Sequence, residues 1–340
     1  MSVHYKTAAK VFLQRLTLAL GMAAVIPVHS ANLPDAQELM QLLGIGQNAL
    51  AELEQGKTVS FDVAEGKENE LAAGVVMYLP ASPSKIIQLI NKKGLASVDS
   101  DLLAQGAIPI SAAVDNFKGF GFKAESGEAK DFLQAEPGSE FNLSFQEFES
   151  LRNADSTQPD AASQSYRKML FDRWQSYRKN GLKGIASYDR GNGTEADPGG
   201  ELKAATQDSK VLARYFPELY KAWLDYPAAL PKGADEQFFW LNRKVEGRPT
   251  AILGHRIIFD AAAAGTLILA RQFYVGHSYN SNQLNIGCLP YRAGSLVFYA
   301  NRNFTDQVAG LGSSLKHSIG REQMKGEIIK RLTNLRKAIK

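Results

Sequence analysis

Residues 265–304 alternate apolar and polar side chains with the period of two expected of strands. The stretch runs TLILARQFYVGHSYNSNQLNIG, crosses a turn at Pro290-Tyr291-Arg292-Ala293-Gly294 and returns as SLVFYANRNF. Its β-branched and aromatic content predicts the centre of an antiparallel sheet. Read as one strand, its first face carries Leu267, Leu269, Arg271, Phe273, Val275, His277 and Tyr279. The other face carries Ile268, Ala270, Gln272, Tyr274, Gly276 and Ser278. The returning strand groups Leu296, Phe298, Ala300, Arg302 and Phe304, and the preceding one, residues 250–260, groups Leu253, His255, Ile257 and Phe259. His255, Arg271, His277 and Arg302 therefore each fall in an apolar row. Breaking a buried ion pair costs about 3–5 kcal/mol, so each needs an acidic partner, water or an anionic ligand. One reading pairs them within the protein. The sharper reading makes them, with Phe273 and Tyr279, the floor of a cavity for an apolar molecule with an acidic head group.

Elsewhere the pattern predicts a helical segment over 34–53, broken near Gly44 and Gly46, and strands over 58–63 and 70–79 around a turn at Gly66. Ser82-Pro83 starts a helix, serine as cap and proline at the first helical position, and Gly94 ends it. A short helix is expected over 99–103 and a strand over 106–122, with Pro109 favouring a sheet edge. Residues 124–165 turn polar and predict loops with a short helix near 145–151. Tyr166, Met169, Leu170, Trp174 and Tyr177 recur at helical spacing up to Asn180-Gly181. Residues 189–200 read as a surface loop, and 209–226 as a helix split at Pro217. Phe238-Phe239-Trp240 opens the sheet region. The last helix, 313–339, has an inner stripe of Leu315, Ile319, Ile328, Leu332, Leu335 and Ile339 and a basic outer face. That face is solvated or meets an anionic membrane surface.

The amino terminus changes the compartment. His4, Lys6, Lys10 and Arg15 form a basic start before an apolar run, residues 16–26, and Val28-His29-Ser30-Ala31 offers small residues for cleavage. This predicts a signal peptide over 1–30 and a periplasmic destination. The run is short for a membrane span. Losing those cations leaves the rest of the chain, formally +4 as a whole, close to neutral. With no RNA-binding motif and no basic domain, nucleic acid is set aside. The single cysteine, Cys288, cannot form an intrachain disulfide and reads as a packed residue.

Catalytic signatures are sparse. Beyond the leader only His255, His277 and His317 remain, none in zinc-ligand spacing. GxSxG is absent, and Gly44-Ile45-Gly46 and Gly119-Phe120-Gly121 lack a nucleotide-binding context. No cofactor is implied and no catalytic residue is assigned. One pairing stays open: His277 with Ser278, Tyr279 or Asp306 as acid and base of a hydrolase or lyase, with His255 as the other candidate. A non-catalytic envelope interaction module, using the aromatics of 215–226 and the loops of 124–165, is the third reading.

A strand, two short helices, several antiparallel strands and a long terminal helix form an order that resembles the START-like, or helix-grip, domains. The resemblance covers 58–122 and 237–339 and implies a helix roofing a hydrophobic cavity. The segments YRKNGLKGIASYD, PTAILGHRIIFD, RQFYVGHSYNSNQL and VFYANRNFTDQVAGLGSSLKHSIGR are similar to an uncharacterised family of exported bacterial proteins. That family brings no assigned activity and no catalytic residues.

The expectation is an α+β protein: a curved antiparallel sheet, a long C-terminal helix across it and a mainly helical insertion. Residues 32–123 form its first part, 124–235 the insertion, and 236–340 the rest. The expected ligand is an apolar or amphipathic small molecule such as a lipid. The expected ligand-binding residues are Arg271, Phe273, His277, Tyr279, His255 and Arg302.

Overall fold

Among the described residues, eight of the ten strands join in one antiparallel sheet, covered by helices on both faces. The computed structural model describes residues 34–93, 99–123, 127–153, 160–261 and 265–339. The proposed signal segment, the Gly94 stop and parts of the 124–165 stretch lie outside these. The strands are β1 (Thr58–Phe61), β2 (Glu70–Leu79), β3 (Leu102–Ala107), β4 (Tyr188–Gly191), β5 (Thr194–Ala196), β6 (Ala234–Val245), β7 (Arg248–Asp260), β8 (Thr266–Val275), β9 (Ser281–Tyr291) and β10 (Gly294–Phe304). The large sheet runs β1-β2-β10-β9-β8-β7-β6-β3, while β4 and β5 pair as a separate hairpin. β2 is buried almost throughout, as a strand covered on both faces must be.

The helices are α1 (Ala36–Leu42), α2 (Ala49–Glu54), α3 (Pro83–Lys93), α4 (Gly127–Leu133), α5 (Phe145–Arg152), α6 (Ala161–Asn180), α7 (Pro198–Gln207), α8 (Lys210–Tyr215), α9 (Pro217–Leu224) and α10 (Ser313–Ile339). None of them is long and apolar enough to cross a membrane. α3 and α10 cover one face, where Ile86, Ile90, Ile328, Leu332, Leu335 and Ile339 meet Val75, Met77, Ile268, Ile286 and Val297. The opposite face is covered by α6, whose aromatic stripe meets Phe238, Trp240, Phe273 and Tyr274. It is also covered by α8 and α9 over Ile257 and Leu269, and by α1 and α2 over Val76, Leu296 and Phe298. All described residues belong to one compact unit. The chain is thus α+β, with a large antiparallel sheet and a long C-terminal helix, as the hydrophobic pattern indicated.

Four local expectations are corrected. Residues 99–103 do not form a helix; they lead into β3, which pairs along β6 as an edge strand. The strand expected over 106–122 ends at Ala107, and the chain turns back so that Phe117 and Phe120 enter the core. The Trp240 ring lies against both Gly106 and Gly119, where a Cβ would fall 2.4 and 2.6 Å from it. The loop expected over 189–200 holds the β4–β5 hairpin, turned by Asn192 and Gly193 at positive φ, and the capped start of α7. Finally, residues 266–291 are two strands, β8 and β9, joined by a turn containing Ser278 at φ +71°.

Candidate functional site

Between the sheet and α10 lies a partly open cavity of about 1120 Å³. Alternate residues of three neighbouring strands make its floor: Ile268, Ala270 and Gln272 of β8, Leu284, Ile286 and Cys288 of β9, and Val297 and Tyr299 of β10. Ile86 and Ile90 of α3 wall one side, and Ile328, Leu332 and Leu335 of α10 form the roof. Period two explains the floor: in each strand these positions share a face, and that face is almost free of charge. Toward β6 the floor continues as Phe239, whose ring lies flat over Gly254. A Cβ at Gly254 would come within 2.2 Å of that ring.

A polar cluster interrupts this lining. The Arg243 guanidinium donates to Asp99 at 2.7 Å, and Arg331 of α10 stands 3.7 Å from the same carboxylate. Burial alone would raise the Asp99 pKa, but Arg243 and Arg331 outweigh it and hold the carboxyl below its usual range. Tyr279 donates to Gln272 Oε1 at 2.6 Å, and burial pushes its phenol up to about 12. Both lie in the cavity wall, with a hydroxyl and an amide available for a polar head group. Burial likewise pushes the Cys288 thiol up to about 12, which makes it an apolar lining group and a poor nucleophile. Among the described residues no three His, Cys, Asp or Glu side chains gather as a metal would require.

Of the six residues expected to line this floor, only Tyr279 does so. His255, Arg271 and Phe273 project from the opposite face into the helical layer. The expectation placed them under α10, and the structure corrects it. His255 is fully buried; Tyr177 Oη lies 2.8 Å from its Nδ1, and Glu236 stands 3.0 Å from Nε2 without a well-aligned hydrogen bond. Burial draws its pKa down to about 4, so the ring is neutral. Arg271 is fully buried too. Its Nη2 donates to the Trp223 carbonyl at 2.7 Å, and its guanidinium lies 3.5 Å from the centre of the Trp223 ring. Its Nε and Nη1 find no acceptor among the described residues. Phe273 stacks on Tyr177 with ring centres 4.1 Å apart.

Arg302 faces the same layer and is neutralised internally by Glu70, while it also donates to Ala64 O at 2.9 Å. His277 sits in the β8–β9 turn. Its Nε2 lies 2.6 Å from Thr250 Oγ1 and its Nδ1 2.7 Å from Ser278 Oγ, which donates to Glu246. Burial, helped by Arg248, lowers its pKa. Asp306, the candidate acid for His277, instead binds Arg190 and Asn280. A β-bulge explains part of the misplacement. Leu253 pairs with Tyr274 but Gly254 pairs with Gln272, so Phe273 is the extra residue and both aromatics reach the helical layer. The bulge and the turn at 276–280 break the alternation that was carried from Arg271 to Tyr279.

No family model matches the chain. No curated protein matches it either. Among solved structures, one titled "Crystal structure of Ara h 8.0201" aligns over 42% of this chain and 89% of its own, at 9% identity and a TM-score of 0.20. A similarity that low carries no argument about the site.

Proposed function

We propose that this chain is an exported protein that holds one apolar or amphipathic small molecule, such as a lipid, between its sheet and α10. The observation that carries the reading is the cavity itself: about 1120 Å³, floored and roofed mainly by aliphatic side chains. Protein interiors normally pack to crystal density. A hollow at or above the usual range for ligand sites, with a few convergent polar groups, suits an oily guest with a polar end. Arg243, Arg331, Tyr279 and Gln272 would meet that end, the two guanidiniums favouring a hydroxyl or carboxyl over a cationic group. Export rests on the basic and apolar order of the first thirty residues.

The test is native mass spectrometry of the purified protein together with solvent extraction and lipid analysis. A bound amphiphile, displaced by a fluorescent fatty acid, supports the reading. Ala270→Phe projects a ring from the floor and should weaken fatty-acid binding at least about tenfold, equivalent to about 1.4 kcal/mol. Wild-type protein that carries no amphiphile and takes up no fatty acid would remove the proposal.

A second reading, hydrolysis, is favoured by one contact chain. Ser278 lines the cavity, and its Oγ lies between His277 Nδ1 and Glu246, each at 2.7 Å. For His277 to act as base, the Ser278 hydroxyl proton must turn from Glu246 to Nδ1, which the two equal distances allow. Any ester-cleaving activity should fall at least about a hundredfold in Ser278→Ala and His277→Ala. Turnover unchanged by both ends this reading.

A further inference from the structure

The segment leading into α10 and the first half of that helix present three apolar side chains to solvent. Leu311 is 99% exposed, Leu315 67% and Ile319 51%. Their four-residue spacing puts Leu315 and Ile319 on one helical stripe, which Leu311 extends beyond the helix start. Leu311 projects from a tight turn between Gly310 and Gly312, both at positive φ. The stripe adjoins the cavity: Ile319 and Lys316 both contribute to its wall. No residue of α10 before Ile328 is buried. This half is held at its edge by polar contacts instead, His317 at 2.8 Å and Arg321 at 3.2 Å from the Glu65 carboxylate. Across its length α10 carries seven lysine and arginine residues against two acids. Arg331 is turned into the cavity beside Asp99 and Arg321 is paired with Glu65, and the other five still outnumber the acids.

We infer that this stripe docks on an anionic bilayer surface and brings the adjoining end of the cavity against the lipid. Three apolar side chains that protrude singly do not form a concave patch that a protein would fill. Hydrocarbon accepts such side chains without shape complementarity, while anionic head groups answer the excess of lysine and arginine. Membrane contact of this kind is a property of the stripe, separate from what occupies the cavity.

The experiment is co-sedimentation of the purified chain with phosphatidylcholine vesicles, with and without phosphatidylglycerol. The wild type should bind the mixed vesicles, bind pure phosphatidylcholine less, and be released as salt rises. The triple variant Leu311→Asp, Leu315→Asp, Ile319→Asp should lower the bound-to-free ratio at least about tenfold. Its circular dichroism and thermal midpoint should stay unchanged, because all three side chains are exposed. Ala270→Phe, which leaves the stripe untouched, should bind vesicles like the wild type even where it no longer takes up fatty acid. Three outcomes overturn the inference: no wild-type binding to either vesicle, equal binding by the triple variant, or loss in that variant of a dimer seen by light scattering. The last would make the stripe a contact between copies of this chain.

Discussion

Arg271 and Arg302 lie in one cross-strand row with Gln283 between them, yet their surroundings make opposite demands. Arg302 neutralises Glu70, which is 1% exposed. Arg302→Met strands that carboxylate in the interior and should lower stability by about 3–5 kcal/mol in urea unfolding. Arg271 has no carboxylate among the groups that act on it, and the Tyr177 and Tyr226 phenols near it are held neutral by burial. Arg271→Met removes a desolvated cation together with one hydrogen bond and one ring contact. These terms oppose one another, and the net change should stay within about 1 kcal/mol. His255 adds a pH dependence. Its folded pKa of about 4 is below the usual 6.5, so the unfolded chain binds the proton more readily. Its contribution is fully present above pH 6.5, shrinks as pH falls through the window from 6.5 to 4, and is gone below it. The size is about 3 kcal/mol. His255→Gln, which can still bond Tyr177, should flatten the loss of melting temperature between pH 7 and pH 5.

α10 is two half-helices in energetic terms. Its buried residues are Ile328, Leu332, Leu335 and Ile339, all in the second half. Leu332→Ala, at a site 3% exposed, should cost about 2–5 kcal/mol in urea unfolding, whereas Leu315→Ala should change stability by no more than about 0.5 kcal/mol. Equal losses would mean that the first half also grips the sheet. The sheet and the terminal helix could be read from periodicity, because two-residue spacing survives in β10 and near-four-residue spacing in the second half of α10, although Leu315 and Ile319, expected on its inner stripe, are exposed. A helix over a hollow was implied only by the element order that resembles helix-grip domains. The face could not be read. A sheet covered on both sides is apolar on both sides, and charged residues in one row drew the reading toward Arg271 and His255. The plain row of Ile268, Ala270 and Gln272 carries no chemical mark, although it is the one an aliphatic helix stripe can cover. The polar end was also missed: Asp99 fell in an expected helix, and Arg331 was counted with the solvated basic face. The bulge at Phe273 leaves no mark in composition, so strict alternation failed there. By contrast, Asn192-Gly193 is a strong hairpin signal that a loop reading passes over.

The two layers around the sheet are built differently, and that difference argues for a guest. On the α6 side, aromatic rings interlock: Phe238 stacks on His255 at 4.4 Å between centres, and Phe273 on Tyr177. On the α10 side, aliphatic chains form a core that borders a partly open cavity. A molecule bound only by the folded state stabilises it by mass action, about 2.7 kcal/mol at a hundredfold excess over Kd. For a chain of this size that is a rise on the order of 5 °C in Tm. A long-chain fatty acid added to lipid-stripped protein should therefore raise the midpoint by about that amount, and extraction should reverse the rise. In Ala270→Phe the increment should vanish while the starting midpoint stays near that of the stripped wild type, since the added ring enters space already present. In Arg271→Met, on the opposite face, the increment should persist in full. A ligand-induced rise that survives in Ala270→Phe but disappears in Arg271→Met would place the guest in the aromatic layer, and the cavity under α10 would then need another explanation.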